Sequence, residues 1–419
     1  MKMKIKKIRA YEILDSRSNP TIKTNVFLED GTIGKASIPS GASTGSKEAL
    51  ELRDGDEKRF LGKGVLEVID NVENKIFDAI KDIEAENQEE IDRKMLELDG
   101  TKNKENLGAN AILSVSLAVA RAVSNYQKKP LWKYLRETFE LKDGENFPNP
   151  MFNMINGGEH ADSGLDIQEY IVVPSGVKTI QEKVRAGSEI YQNLKKILIE
   201  NNYRVAVGDE GGFAPKLESN QQGLQLINQA VEKAGYKLGE EINTGIDAAA
   251  NGFQSQEDGK YNLKLDGASL DSSQVSAMYR EWIEKYHMEL LEDPMSEFDW
   301  EGWIEFNKEF GEKIAVIGDD LLVTNKEIVE EAVERKACNA VLIKVNQIGS
   351  LTETIECIKF SQENNMKIAV SHRSGETTDD FIADLAFAVQ SEYVKFGAPA
   401  RGERVAKYNR LIEIAEELK

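Results

Sequence analysis

Residues 340–349 read Ala340-Val-Leu-Ile-Lys344-Val-Asn-Gln-Ile-Gly349, a run of apolar side chains followed by a lysine, an amide pair and a glycine. The apolar run predicts a fully buried strand, with Lys344 at its end. Because a lone buried ammonium is costly, such a lysine either pairs with a carboxylate or loses its proton. Taken alone, Lys344 would be interpreted as one half of a structural ion pair.

Charged residues also end the other apolar runs of the C-terminal half. Asp247, Glu292 and Asp319 each close such a run, and the 371–373 segment and Lys395 close two more. The apolar runs lie at 151–155, 167–173, 242–247, 288–292, 314–318, 339–345, 367–371 and 393–397. They alternate with helical stretches at the spacing of a (β/α)₈ barrel, whose C-terminal strand ends form one rim. The pattern leaves open whether 204–207 is a ninth strand or a loop.

The N-terminal part has a different pattern. Short alternating runs at 4–14, 21–28 and 32–38 predict strands, the last two joined by a Glu29-Asp30-Gly31 turn. Helical periodicity follows at 65–80, 88–98, 106–124 and 131–137. We therefore predict an α/β protein with a small α+β domain over 1–138, followed by a TIM-barrel domain over 139–419.

Composition excludes several classes of protein. The 419 residues carry a formal net charge of −20, which argues against a general binder of nucleic acid or membrane surfaces. Two cysteines do not form a disulfide framework, and no apolar targeting segment follows the basic N-terminus. We expect a cytoplasmic protein that binds neither membrane nor nucleic acid directly.

The strand-end carboxylates predict a metal site. Asp247, Glu292 and Asp319 would converge at the barrel rim and repel one another unless a divalent cation neutralised them. Oxygen ligands of this kind suit Mg²⁺. As single residues, each could instead be a solvated helix cap, but three successive strands plus Lys344 favour the metal site.

Other motifs supply candidate acids, bases and anion ligands. Lys344, close to a metal and to Lys395, is a candidate general base because neighbouring positive charge lowers its pKa. Glu210, in the glycine-rich 208–212 segment, is a candidate acid, although such segments are usually only turns. The 371–375 segment offers Arg373, hydroxyls and backbone donors suited to a phosphate.

These motifs together resemble those of enolases, the phosphopyruvate hydratases, over residues 8–416. They are Pro39-Ser-Gly-Ala-Ser43-Thr-Gly45, Leu107-Gly-Ala-Asn-Ala-Ile112, Asn156-Gly-Gly-Glu-His160, Gly208-Asp-Glu-Gly-Gly212, Glu292-Asp-Pro294, Gly318-Asp-Asp320, Lys344-Val-Asn-Gln-Ile-Gly349, Ser371-His-Arg-Ser-Gly-Glu376 and Lys395 with Gly397-Ala-Pro-Ala-Arg401. The resemblance implies a barrel of the ββαα(βα)₆ type, in which 204–210 is a loop.

The resemblance also implies an activity and the residues that carry it. The family interconverts 2-phosphoglycerate and phosphoenolpyruvate in glycolysis and gluconeogenesis, with Lys344 as base at C2 and Glu210, assisted by Glu169, as acid at the C3 hydroxyl. One Mg²⁺ would be held by the three strand-end carboxylates and a second, arriving with substrate, by Ser43. The implied substrate ligands are His160, Gln168, Glu169, His372, Arg373, Ser374 and Lys395. Family members are homo-oligomers, either dimers or octamers.

Some positions depart from the family pattern. Ser18 replaces a usual glycine and is expected to need either a strained backbone or a shifted loop. Asn251-Gly252 and Phe396 lie close to Asp247 and Lys395 and replace smaller or acidic residues. They motivate one alternative, an enolase-like enzyme for a related phosphonate acid. A binding or scaffold role, with the cell surface or secretion as a second location, is another.

Overall fold

The structure is a computed structural model, and it describes residues 3–41 and 47–419. Its N-terminal part opens with an antiparallel sheet in the order β1-β2-β3, formed by β1 (Ile5–Leu14), β2 (Pro20–Leu28) and β3 (Ile33–Ser37). The turn between β2 and β3 is held by Asp30, whose carboxylate accepts the backbone N–H of Thr32 at 2.9 Å. Gly31 in the same turn has a φ of 92°, a conformation that favours glycine.

Helices cover one face of this sheet. They are α1 (Leu66–Asp70), which continues through a π-helical segment (Asn71–Ile76) into α2 (Phe77–Ile80), then α3 (Gln88–Asp99), α4 (Ala109–Gln127) and α5 (Leu131–Thr138). Helix α4 is buried along almost its whole length because it packs against β2 and β3. Its backbone passes so close to Gly34 that a Cβ there would lie 2.1 Å from Ala118 O.

The rest of the chain forms a closed barrel. Its strands are β4 (Asn149–Asn156), β5 (Glu169–Val173), β6 (Asn243–Asp247), β9 (Met288–Glu292), β10 (Ala315–Gly318), β11 (Ala340–Ile343), β12 (Lys367–Ser371) and β13 (Tyr393–Gly397), while β7 (Tyr261–Leu263) and β8 (Ala268–Leu270) form a separate hairpin. Strand β5 runs antiparallel to β4 and β6, and all other neighbours are parallel. The predicted fold class is confirmed.

Helices surround the barrel in the predicted ββαα(βα)₆ order. They are α6 (Ile180–Glu200), α7 (Gln221–Lys233), α8 (Ser272–Lys285), α9 (Trp300–Phe310), α10 (Lys326–Arg335), α11 (Val345–Ile348), α12 (Leu351–Glu363), α13 (Phe381–Ala388) and α14 (Gly402–Glu417). Residues 204–207 form no barrel strand, and Val207 makes only an isolated bridge to Phe213. The loop interpretation of 204–210 is therefore confirmed.

Polar contacts join the N-terminal part to the barrel helices. Asp92 on α3 accepts the backbone N–H of Thr352 at 3.0 Å, and burial raises the pKa of Asp92 to about 6. Arg121 on α4 pairs with Asp379 at 2.7 Å and with Asp380 at 2.6 Å. Because these contacts hold the N-terminal part against the barrel, its loops can reach the barrel rim. The boundary between 138 and 139 stays a prediction.

Two further features bear on expectations from the sequence. Ser18 has a φ of 63°, so the expected strain is present; a left-handed conformation costs a non-glycine residue roughly 1–2 kcal/mol. Among the described residues, no helix has the length and apolar character needed to cross a bilayer.

The packing of α6 on β4 predicts the effect of one substitution. A Cβ added at Gly187 would lie 2.4 Å from the Phe152 ring, and the ring is buried on all sides. We expect Gly187→Ala to destabilise the protein by about 1–3 kcal/mol, since overpacking a core displaces its neighbours. Thermal unfolding followed by circular dichroism measures the change.

Gly402→Ala is the matched control. Gly402 opens α14 with no atom within 4 Å of an added Cβ, so alanine should leave the melting temperature unchanged or raise it slightly. Equal melting temperatures for Gly187→Ala and the wild type would contradict the packing described for α6 and β4.

Candidate active site

The predicted carboxylates meet at one rim of the barrel. Asp247 at the end of β6 is paired in register with Glu292 at the end of β9. On its other side, Asp247 is paired with Glu169, the first residue of β5. Glu169 reaches the same rim from the start of its strand because β5 runs in the opposite direction. Reversal of one strand thus adds an acidic group to the C-terminal rim.

A cavity of 570 Å³ opens at this rim. The predicted site residues that line it are His160, Gln168, Glu169, Glu210, Asp247, Asp319, Lys344, His372, Arg373, Ser374 and Lys395. Glu292 is fully buried and contacts the cavity residue Lys395. Ser43 lies outside the described residues. Residues far apart in the chain therefore form one site, as the strand-end pattern predicted.

Lys395 occupies the centre of the acidic rim. Its Nζ lies 2.8 Å from Glu292, 3.0 Å from Asp247 and 3.0 Å from Glu169. Burial alone would lower the pKa of Lys395, but these carboxylates raise it well above its usual value. The lysine is therefore a fixed ammonium that holds the carboxylates together.

Lys344 contacts the carboxylate of Asp319, which also accepts a hydrogen bond from Gln347 at 2.9 Å. Burial, Arg373 and Lys395 act to lower the pKa of Lys344, as the sequence led us to expect. The prediction of a lowered pKa is nevertheless wrong for this structure, because the Asp319 carboxylate outweighs those effects and raises it. Contact with a single carboxylate decides the direction.

The pKa values of Glu210 and Glu169 are shifted in opposite directions. Glu210 accepts from Asn153 Nδ2 at 2.9 Å and lies 3.2 Å from His372 Nε2. Although burial acts to raise the pKa of Glu210, His160 and His372 lower it well below its usual value. Burial raises the pKa of Glu169 well above its usual value, and the charge of Glu210 adds to this rise. Two neighbouring carboxyl groups with separated pKa values are typical of acid–base chemistry.

The expected phosphate ligand Arg373 already holds a carboxylate. Its guanidinium donates to Glu48 through Nη1 at 2.9 Å and through Nη2 at 3.2 Å, a two-point contact of the kind a phosphate also makes. Asn346 accepts from the same guanidinium at 3.0 Å. Arg17, from the N-terminal part, donates to Ser374 Oγ at 3.0 Å. The side of the cavity around Arg373 and Ser374 is thus built from both parts of the chain.

Sequence reasoning missed several of these polar residues. Asn153 was not singled out, although an amide within the otherwise apolar run 151–155 was a detectable signal. Glu48, Arg17 and Arg404 gave no such signal, because each lies among other charged residues. Glu48 and Arg17 contact residues more than 300 positions away, and Arg404 contacts residues about 30 positions away.

The residues at the rim fit a divalent cation. Burial, followed by the charge of Asp247, raises the pKa of Glu292 well above its usual value, although Lys395 opposes this. Four carboxyl groups, those of Glu169, Asp247, Glu292 and Asp319, contact only two lysines, so the cluster has a surplus of negative charge when all of its groups are ionised. Among the described residues, Asp319 shares with Asp293 and Asp320 a group whose ligand atoms all lie within 4.8 Å of one another, whereas the predicted set Asp247, Glu292 and Asp319 is not drawn together as closely. A donor set of carboxylate oxygens is the one that Mg²⁺ prefers.

Comparison with known proteins identifies the family. The model of the enolase C-terminal TIM barrel domain matches residues 145–419, and that of the enolase N-terminal domain matches residues 5–135. An enolase from a Nitratiruptor species is 50% identical over 414 residues, which cover 99% of this chain and 97% of the relative. The chain belongs to the enolase family. It is a hydro-lyase with the activity of a phosphopyruvate hydratase.

The departures from the enolase pattern can now be placed. Phe396 is buried, and its ring centroid lies 5.5 Å from that of Tyr408 on α14, so the side chain fills the helix–barrel interface. Asn251 lines the cavity and donates to Asp320 at 3.0 Å. Of the two, only Asn251 can affect a ligand directly.

Removal of the central lysine tests the charge balance of this enolase site. Lys395→Met leaves Asp247 and Glu292 buried without their cation, and breaking a buried ion pair costs about 3–5 kcal/mol. We expect a lower melting temperature in chelator-treated protein. Added Mg²⁺ should raise the melting temperature of the variant more than that of the wild type, because it supplies the missing positive charge.

The control is Lys264→Met, which removes an exposed lysine at the mouth of the same cavity. It should change the melting temperature little in either condition. A Lys395→Met protein as stable as the wild type without metal would show that the carboxylates do not depend on this ammonium.

Proposed function

We propose that Lys344 removes the C2 proton of 2-phosphoglycerate and that Glu210, assisted by Glu169, protonates the departing C3 hydroxyl. The observation that carries this proposal is the position of Lys344 relative to the Glu169–Glu210 pair on the barrel. Lys344 follows β11, and Glu169 begins β5, four strands away around the closed eight-stranded barrel. Base and acid therefore face each other across the cavity, so the proton and the hydroxyl leave from opposite faces of the substrate.

The carboxyl pair has the proton distribution that this step needs. Glu169 favours the protonated form and Glu210 the ionised form, and their ligand atoms lie within 4.8 Å of each other and of His160. A proton held on Glu169 can thus reach the hydroxyl through Glu210 or a shared hydrogen bond. In the reverse direction the same pair accepts the proton from water.

We propose Mg²⁺ as the cofactor, held by Asp247, Glu292 and Asp319. When bound, it neutralises negative charge that develops on the substrate carboxylate next to C2 and engages Asp319, which otherwise raises the pKa of Lys344. The excess negative charge at the rim supports this assignment. A second Mg²⁺, with Ser43 as ligand, follows from the family resemblance alone.

We further propose that Arg373 and Ser374 bind the substrate phosphate, with His160, Gln168, His372 and Lys395 around the rest of the molecule. A phosphate would take the place that the Glu48 carboxylate occupies on Arg373, since both anions accept the same pair of parallel N–H groups. Displaced Glu48 would move the segment that follows the undescribed residues 42–46. Substrate binding and the position of this segment are thereby linked.

Location and assembly are proposals of the same kind. The acidic composition and the family resemblance support a cytoplasmic homo-oligomer, either a dimer or an octamer. Sedimentation of the purified protein distinguishes the two assemblies.

Exchange of the C2 proton separates the base from the acid. In deuterated water with Mg²⁺, we expect Lys344→Met to lose both C2 exchange and phosphoenolpyruvate formation, because it lacks the group that takes the proton. Glu210→Gln should keep measurable C2 exchange while dehydration falls by at least about 100-fold, as expected for loss of an acid. Mass spectrometry measures exchange and ultraviolet absorbance the enol product.

Lys264→Met and Glu159→Gln are the controls, since both remove exposed charges that line the same cavity. Neither should lose exchange or dehydration. If folded Lys344→Met still exchanged the C2 proton at the wild-type rate, Lys344 would not be the base. Wild-type protein without turnover would refute the activity itself.

A further inference from the structure

We propose that Arg404 is a positioning residue that holds His372 as a neutral imidazole with its single proton on Nε2, the ring nitrogen nearer to Glu210. The inference rests on the role proposed for Glu210 and adds a residue to it. Arg404 lies on α14, outside the cavity lining, and its side chain is 0% exposed.

Arg404 contacts residues 372–374 and Asp209, which neighbours Glu210. Its Nη1 lies 2.7 Å from His372 Nδ1 and 2.6 Å from Arg373 O. Its Nη2 donates to Ser374 O at 2.6 Å and to Asp209 O at 3.1 Å. One guanidinium thus joins the segment after β12 to the loop that carries Glu210.

The chemistry of a guanidinium decides the state of the imidazole. A guanidinium has only N–H donors and stays charged in proteins, so His372 Nδ1 must accept its hydrogen bond. A neutral imidazole carries one proton, which therefore sits on Nε2. An imidazolium would place an N–H of the ring against an N–H of Arg404 at 2.7 Å, which excludes it.

The other ring nitrogen faces the acid. His372 Nε2 lies 3.2 Å from Glu210 Oε1 without a hydrogen bond between them, so the protonated nitrogen is the one nearer the carboxylate. Burial lowers the pKa of His372 to about 3, and Arg404 and Lys395 act in the same direction, while Glu210 opposes them. A histidine in this state cannot take a proton from Glu210. The proton needed at the C3 hydroxyl therefore stays on the Glu169–Glu210 pair.

Packing alone does not explain a buried arginine here. The Glu403 carboxylate lies 3.5 Å from Arg404 Nε, and the shorter contacts go to neutral acceptors. Burying a charge that is balanced mainly by carbonyl dipoles is costly, and an apolar side chain would fill the same volume. Its effect on the tautomer of His372 explains why a charged arginine occupies this buried position.

Histidine nitrogen NMR tests the proposal directly. The chain has only three histidines, His160, His287 and His372, so ¹⁵N-histidine labelling gives a sparse spectrum, and His372→Asn assigns the signals of His372. In the wild type at neutral pH, we expect a protonated Nε2 and an unprotonated Nδ1. A protonated Nδ1 in the wild type would overturn the proposal, whatever the variants do.

The Arg404→Met variant should lose this pattern, because no donor remains at Nδ1, and the spectrum should show mixed tautomers or an imidazolium. Arg404→Lys keeps a cationic donor and should restore part of the wild-type pattern. The matched control is Arg410→Met on the same helix, which removes an arginine that pairs with Asp384 at 2.7 Å. It should leave the His372 signals unchanged.

Kinetics give an independent readout. Since hydrogen bonds to charged groups contribute to positioning, we expect Arg404→Met to lower kcat about 10- to 100-fold, with a smaller effect on KM, and Arg404→Lys to recover part of the loss. Unchanged tautomer and kcat in folded Arg404→Met would overturn the proposal. Wild-type protein without turnover would refute the proposed function, while the His372 spectrum would still decide the role of Arg404.

Discussion

The rest of the site depends on a buried ammonium among three carboxylates. Lys395 contacts Asp247, Glu292 and Glu169 within 3.0 Å, and all four groups are almost wholly removed from water. Such a cluster persists only where backbone geometry holds its members, because separate burial of each charge would be prohibitive. The closed barrel provides that geometry through register: neighbouring strands place their terminal residues side by side. The surplus negative charge then makes a divalent cation the fitting partner.

The acid and base sides differ in what surrounds them. Contact with Asp319 stabilises the ammonium form of Lys344 and raises the pKa of this lysine. On the opposite side, the pKa values of Glu210 and Glu169 are separated. Glu210 lies beside two imidazoles, whereas Glu169 is affected mainly by burial and by the like charge of Glu210. Arg404, through His372, prevents a third group from competing for the proton. Each side therefore depends on residues beyond those that touch the substrate.

The N-terminal part completes the cavity. Its loops bring Glu48 to Arg373 and Arg17 to Ser374, while Asp92 and Arg121 fasten its helices to the barrel. The side of the cavity around Arg373 and Ser374 thus requires both parts of the chain to be docked. The N-terminal α+β part therefore contributes side chains to the cavity at the barrel rim.

The sequence by itself determined the strands and the charged residues at the ends of most barrel strands, because apolar periodicity and strand-end position are local properties. The ββαα(βα)₆ order followed from the resemblance to enolases. It also predicted the residues of the cavity, since parallel strands bring their C-terminal ends together. Only the tertiary structure decided the direction of the Lys344 pKa, the core orientation of Phe396 and the contacts of Asn153, Glu48 and Arg404. Each of these depends on distances of a few ångströms between residues far apart in the chain, and those distances decide which charges dominate a pKa.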